Sequence, residues 1–338
     1  MTHREKYSRQ ILFPPIGEAG QARLARSRVV IIGAGALGTF QASHLARAGV
    51  GTLRMVDRDF VEESNLQRQV LLDESDAAQN LPKAVAAERK LRAINSDIRV
   101  EGVVADFEPR NAEDLVRGFE VILDGTDNFE ARYLLNDVAV KLGIPWVYGA
   151  AVGSYAATMT IRPTHTACLA CVFPAPPEGL GETCDTVGVI APAVAWAAAI
   201  QVTETLKLLL GRLRELHGKL MSADIWENRF QEVRTPPDAQ CRVCGAREFR
   251  YLDGESSVAG MLCGRNAVQI RQMEARALNL AELKKRLAPL GVVSGNEFLV
   301  RFELAPFELT IFPDGRAIVK GTDDPAVARG LYAKYVGS

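Results

Sequence analysis

The run Gly33-Ala34-Gly35-Ala36-Leu37-Gly38 follows the aliphatic stretch Val29-Val30-Ile31-Ile32 and leads into a helical pattern. Glycines at this spacing let a phosphate approach the amide groups at a helix N-terminus. Asp57 closes the next apolar stretch, about 20 residues beyond the last glycine, where a carboxylate accepts hydrogen bonds from ribose hydroxyls. A nucleotide site is expected here, and the glycine motif alone favours a nicotinamide or flavin dinucleotide. The residues that follow point elsewhere. Arg58-Asp59, Ser64-Asn65-Leu66-Gln67-Arg68-Gln69 and Pro82-Lys83 form a polar, cationic series for which hydride transfer has no evident use. Triphosphate chemistry needs such groups, because charge must be neutralised as the α-phosphorus is attacked and pyrophosphate leaves. Asp124-Gly125-Thr126-Asp127-Asn128 ends a further apolar stretch, at the sheet edge where open α/β folds bind ligands, and Asp127 is a candidate magnesium ligand there. Taken singly, Lys83 or Asp59 reads equally as a surface ion pair or a helix cap.

The sequence has six cysteines. Cys168-Leu169-Ala170-Cys171 and Cys241-Arg242-Val243-Cys244 offer two thiolate pairs, matching a tetrahedral zinc site with four sulfur ligands and a structural role. Redox activity is the rival, although neither pair follows a strand into a helix in thioredoxin fashion. Cys184 follows a Pro/Gly-rich stretch, 174–181, and reads either as a nucleophile for an activated acyl group or as a free loop thiol; Asp185 beside it would raise its pKa and favours the second reading. Cys263 reads as a buried structural thiol.

These residues need a scaffold that gathers them. Apolar runs alternate with helical patterns: strands at 28–32, 52–56, 99–104 and 121–124, and helices at 36–48, 83–94 and 132–142. Alternation of this kind predicts a Rossmann-like, mostly parallel α/β sheet with helices on both faces. An amphipathic stretch at 11–25, broken near its start by Pro14 and Pro15, predicts an N-terminal helical arm within 1–26. The main domain is expected over 27–245, divided into a nucleotide-binding half (27–149) and a second half (150–245) with a strand at 156–162 and an apolar helix at 191–210. A small α+β appendage is expected over 246–338: strand, helix at 280–287, two strands around Pro313-Asp314-Gly315, and a last helix at 324–335.

With 48% hydrophobic residues in 338 and a formal charge of -1, the chain is globular and offers no bulk electrostatic attraction for nucleic acid or membrane. Residues 1–10 lack the apolar core of a signal peptide, and the apolar stretch 187–200 is short for a bilayer, so the expected compartment is the cytoplasm.

Tyr7-Ser8-Arg9-Gln10-Ile11, the glycine motif, Asp57, Asn65 to Gln69, Lys83, Asp124 to Arg132, both cysteine pairs and Thr183-Cys184 occur in one order over roughly residues 5 to 245. In this the sequence resembles the MoeB/ThiF adenylyltransferases of the ubiquitin-activating superfamily. The resemblance implies ATP-dependent adenylation of the C-terminal Gly-Gly carboxylate of a small ubiquitin-like sulfur-carrier protein, for molybdopterin or thiamine biosynthesis. It implies that Asp57 holds ribose, that Asn65, Arg68 and Lys83 contact phosphates, and that Asp127 positions magnesium. Gly33, Gly35, Gly38, Asp59, Gln69, Thr126 and Asn128 complete the nucleotide-binding set. It further implies a homodimer in which Arg9 reaches the partner's ATP, a role for Cys184 as nucleophile in some relatives, and a separate sulfur donor such as a cysteine desulfurase or rhodanese. Adenylation of a different carboxylate, in threonylcarbamoyl adenosine of tRNA or in a peptide, is the alternative within the superfamily. An NAD-dependent oxidoreductase is the alternative outside it, and no matching catalytic His or Tyr is evident.

Overall fold

A computed structural model describes residues 3–175, 187–254, 266–270 and 278–337. In chain order, the first part contains α1 (His3–Lys6), α2 (Ser8–Ile11), α3 (Gly17–Leu24), β1 (Arg28–Ile32), α4 (Ala36–Ala48), β2 (Thr52–Val56), α5 (Glu74–Ala78), α6 (Lys83–Ile94), β3 (Arg99–Val103), α7 (Ala112–Val116), β4 (Val121–Asp124) and α8 (Phe129–Leu142). It continues with β5 (Trp146–Val152), β6 (Tyr155–Ile161), α9 (Leu169–Val172), α10 (Ala191–Leu210), β7 (Leu220–Asp224) and β8 (Arg229–Val233). The chain divides into two compact units between Ser256 and Ser257.

The first unit is built on an eight-stranded sheet of order β3-β2-β1-β4-β5-β6-β7-β8. Strands β3 to β5 run parallel, and β6 to β8 extend the sheet in antiparallel fashion. Val29 to Ile32 and Val121 to Asp124 are buried, because strands covered on both faces are driven inside by their aliphatic side chains. The order changes direction between β1 and β4, which opens a crevice beyond their carboxyl ends.

The expected division at 149/150 falls inside β5, and β6 pairs with β5 along its whole length. The two halves are therefore one sheet. The expected end of the main domain, at 245, is also passed. The Tyr251 ring stacks on Tyr133 at 4.9 Å, and the amides of Tyr251 and Leu252 donate to Asp137 Oδ2 on α8, holding this segment to the first unit. β7 and β8 are elements the sequence pattern did not reveal; β8 is exposed along its length, so it lacks the apolar alternation that marks a half-buried strand.

The stretch 187–200 is short for a bilayer, but helix α10 continues to Leu210, and its 20 residues are long and apolar enough to cross a membrane by length and composition. It packs across α4, β5 and β6 as a core helix. Its alanines allow a close approach, and Gln201 crosses that seam: Nε2 donates to the carbonyls of Asp124 and Val147, both at 2.9 Å, while Oε1 accepts from Gln41 Nε2 at 2.6 Å.

The second unit contains β9 (Ala267–Ile270), α11 (Leu280–Leu287), β10 (Val292–Gly295), β11 (Val300–Leu304), β12 (Phe307–Ile311), β13 (Ala317–Lys320) and α12 (Pro325–Tyr335). Its five strands form an antiparallel sheet of order β10-β11-β12-β13-β9 around Phe302, Leu309, Ile311 and Val319, with Leu283, Leu287 and Tyr332 of the helices in the same core. Two strands were expected around the 313–315 turn. They are β12 and β13, but β10 and β11 precede them, β10 lying within the Gly-Asn punctuation at 291–296.

Gln201→Leu leaves the Val147 carbonyl without this donor and takes one of two acceptors from the buried Gln41 amide, which keeps its bond to the Asp124 carbonyl. We expect urea unfolding to show a loss of about 2 kcal/mol or more, and unchanged stability would show that the seam is held by alanine packing alone.

Candidate nucleotide site and cysteine cluster

At the switch point the backbones of Gly33 and Gly125 meet. Gly33 has φ +96, and a Cβ on it would overlap the Gly125 carbonyl. Gly38, in the first turn of α4, likewise has no room for a Cβ against the Gly33 carbonyl. Gly35 is different: a Cβ there would meet only the Gly125 oxygen, at 4.0 Å, so the protein's own packing does not demand this glycine. Gly35 is also the N-cap of α4, and no side chain caps the helix. The first turn thus presents its amides and positive dipole end to an open cradle, the arrangement that receives an anion.

Asp57 follows β2 and anchors this loop. Its Oδ2 accepts from the Ala34 amide at 2.6 Å, and its Oδ1 from the Asp59 amide at 2.7 Å. Burial pushes its pKa up to about 6, with Lys83 opposing and Asp59 reinforcing the shift. Lys83 opens α6 and is buried, with Nζ 3.2 Å from Asp59 Oδ2. Burial disfavours its charge, yet the carboxylates of Asp59, Asp57 and Asp127 hold its pKa above the ordinary value. Arg58 pairs with Asp106 at 2.7 Å and with Asp59 at 3.6 Å, so Asp59 lies between the Arg58 guanidinium and the buried Lys83 ammonium.

The segment after Asp59 is tied to Lys83 through its backbone: the Lys83 amide donates to the Asp59 carbonyl and the Val61 amide to Leu81. A 3₁₀ turn, Glu63–Asn65, follows. Asn65 is buried, and its Oδ1 accepts from Arg68 Nη2 at 2.8 Å. Gln69 is buried as well, and its Oε1 has no hydrogen-bond partner among the described residues, an acceptor that such a position rarely leaves unmatched.

Beyond β4, the loop of Asp127 is shaped by an ion pair that the sequence reading did not single out. Asp124 is fully buried; its Oδ1 accepts from the Thr126 amide at 2.9 Å and hydroxyl at 2.7 Å, and its Oδ2 from Arg132 Nε and the Gly149 amide, each at 3.2 Å. Arg132 also donates to the carbonyls of Thr126 and Gly149, between the rings of Phe129 and Tyr148. Thr126 therefore commits its hydroxyl to Asp124. Asn128 commits its Oδ1 to the Ala131 amide as the N-cap of α8. Both residues shape the loop, and Asp127 is left exposed at its tip.

Arg9 lies exposed on α2. Its neighbours Tyr7 and Gln10 bond to Asn95 and to the Ala48 carbonyl, at the ends of α6 and α4 remote from the glycine loop. Arg9 is thus not gathered with Gly35, Lys83 and Asp127 of its own chain. Cys184 and Cys263 lie outside the described residues.

The four paired cysteines come together. Their sulfur atoms lie within 4.8 Å of one another, with Cys168–Cys171 at 3.8 Å, Cys168–Cys241 at 3.6 Å and Cys171–Cys244 at 3.4 Å. Four sulfurs at about 2.3 Å from a central zinc ion stand about 3.8 Å apart, so the donor set and spacing are compatible with that metal. Burial, reinforced by Cys171 and Cys241, pushes the Cys168 thiol up to about 12. The cluster is fastened to α8, where Asn136 Oδ1 accepts from the Leu169 amide at 2.9 Å and the Tyr133 hydroxyl donates to the Phe173 carbonyl at 2.8 Å.

The ThiF family pattern matches residues 7–243. The sulfur carrier protein ThiS adenylyltransferase of Bacillus subtilis (strain 168) is 48% identical over 337 residues, covering 98% of this chain and 99% of that protein. The SAMP-activating enzyme E1 of Haloferax volcanii is 42% identical over 247 residues, 72% of this chain and 90% of its own length. A crystal structure of MccB from E. coli superposes with a TM-score of 0.63 at 24% sequence identity, over 72% of this chain and 73% of that one, a likeness of fold. The glycine cradle at the β1–β4 switch, the Asp57 and Lys83 groups beside it and three of the four cluster cysteines fall within the span of the family match, which ends one residue before Cys244, and the chain belongs to the ThiF family.

Proposed function

We propose that this chain uses ATP to adenylate the C-terminal carboxylate of a ubiquitin-like sulfur-carrier protein of the ThiS type, whose tail ends in Gly-Gly. The carrying observation is the convergence of the uncapped α4 N-terminus, the buried Lys83 ammonium and the exposed Asp127 at one strand edge. Family membership favours adenylation over a dinucleotide reading. The ThiS type is favoured because the Bacillus relative matches through the second unit too, whereas the Haloferax match spans only 247 residues.

In this reading the carrier carboxylate attacks the α-phosphorus, the bond to the bridging oxygen of pyrophosphate breaks, and acyl-AMP forms without a protein nucleophile. The α4 amides, Arg68 and Lys83 offset charge on the phosphates, Asp57 receives ribose hydroxyls, and Asn65 and Gln69 complete the contacts. Asp127 would hold magnesium, which when bound offsets further phosphate charge. Arg9 comes from a second copy of the chain in a homodimer. The exposed ring of Phe230, beside Trp196 of α10 at the antiparallel end of the sheet, offers an apolar patch to the carrier. The four-cysteine cluster holds structural zinc, and a separate cysteine desulfurase or rhodanese supplies sulfur to the acyl-adenylate. The enzyme works in the cytoplasm.

ATP–pyrophosphate exchange tests the reading directly. With magnesium and a ThiS-type carrier, exchange is expected and Asp127→Ala lowers it by at least about 100-fold. Exchange only with a molybdopterin-type carrier would reassign the pathway, and none with any Gly-Gly carrier would sink the proposal.

Asp57 gives a pH signature. A carboxylate with its pKa near 6 accepts ribose hydroxyls above that pH and loses this ability as protons bind below it. ATP affinity measured by calorimetry is expected to fall as pH drops from 7.5 through 6, whereas Asp57→Asn binds weakly with a flatter profile. A native profile that parallels the variant's would remove Asp57 from the site.

Metal analysis of the purified protein should find about one zinc per chain. Cys241→Ser should lose the metal and melt at a lower temperature; full stability of metal-free protein would make the cluster a set of reduced thiols only.

A further inference from the structure

Helix α2 is four residues long, has no side-chain cap and buries none of its residues, so it has no stability of its own. Its position is set by the side chains around it. The Tyr7 ring is buried against Gly49, the left-handed residue that ends α4, where a Cβ would stand 2.7 Å from ring atoms. The Tyr7 hydroxyl accepts from Asn95 Nδ2 at 2.7 Å, and Asn95 is the buried C-cap of α6. Asn95 uses its full hydrogen-bonding capacity at this junction: Nδ2 also donates to the Ala46 carbonyl at 2.7 Å, while Oδ1 accepts from Lys6 Nζ at 2.9 Å and the Asp97 amide at 3.2 Å. One side chain thus joins the arm, the end of α4 and the end of α6. Gln10 adds a second tie to the Ala48 carbonyl at 2.8 Å.

These same two helices carry the nucleotide groups at their opposite ends, the glycine loop on α4 and Lys83 on α6. The 13 residues of α4 rise by about 20 Å in all, farther than an arginine side chain reaches. Arg9 is therefore presented away from its own chain's cradle, from a mounting built on the far ends of the helices that form the cradle.

We propose that Tyr7 and Asn95 are positioning residues, and that their hydrogen bond is a latch that fixes α2 so that Arg9 meets the nucleotide of a second copy. This rests on the reading that Arg9 acts across a dimer. Without the latch the arm remains attached through Gln10, the ion pair of Lys6 with Asp97 at 2.7 Å, and α3, but the direction of Arg9 is no longer set.

Mixed dimers test the latch separately from that reading. Two differently tagged chains are coexpressed, mixed dimers are isolated through both tags, and ATP–pyrophosphate exchange is read with a ThiS-type carrier. In the pair of an Arg9→Ala chain with an Asp127→Ala chain, the first chain's intact cradle receives Arg9 from the second, and exchange is expected where neither homodimer gives it. Tyr7→Phe is then placed on one chain at a time. On the Asp127→Ala chain, which donates the arm, it should lower exchange by about tenfold; on the Arg9→Ala chain it should leave the mixed dimer's rate in place. Asn95→Ala should show the same asymmetry. Equal effects from either chain, as a general folding defect would give, or no effect from either, overturn the latch. Absence of exchange in the starting pair, with native dimers active, overturns the action of Arg9 across the dimer and the latch with it.

Discussion

Two backbones without side chains hold the architecture of the first unit in place. Gly33 and Gly125 approach so closely at the ends of β1 and β4 that neither accepts a Cβ. This lets adjacent parallel strands release their chains in the same small space, one into α4 and the other into the Asp127 loop. A bulkier residue at either position would push the two strand ends apart. The cradle, the pinning of Ala34 by Asp57 and the direction of the β4 loop all depend on that contact.

The second constraint is electrostatic. Asp124 and Arg132 are both buried, and the attraction of such a pair is opposed by the cost of taking two charges out of water. Here the remaining capacity is well used: the carboxylate accepts from two amides and a hydroxyl besides the guanidinium, and the guanidinium donates to two carbonyls. A network satisfied to this degree has few alternative arrangements. It fixes the conformation of Gly125 to Asn128 before any ligand arrives, which is the sense in which the loop is preorganised.

The sequence pattern located β1, α4, β2, α6, β4 and α10 well, because each is an apolar run of the period its element requires, bounded by glycine, proline or a polar residue. It missed β7, and also β8, which is exposed along its length, and it placed a division inside β5 at Gly149, a small residue that reads as a break. That glycine is required by contact with Gln201, 52 positions later, since a Cβ would overlap its amide group. Gln201 escaped singling out for a related reason. Gln201 meets Asp124 across 77 residues, and no local periodicity carries such a contact. Motif residues such as Asp57 and Lys83 were legible because their spacing from a strand end is itself local information.

Cys168 and Cys241 are 73 positions apart, yet their sulfurs stand 3.6 Å from each other. A cation shared by the four thiolates would turn the intervening chain into a closed ring. In polymer terms, a ring of that size removes conformations from the unfolded chain worth about 4 kcal/mol at room temperature, comparable with a large part of a typical domain's net stability. The cluster's contribution would then lie less in the contacts it makes than in the disorder it denies. Helix α10, which lies within the closed loop, would begin folding already confined near the sheet it must cover.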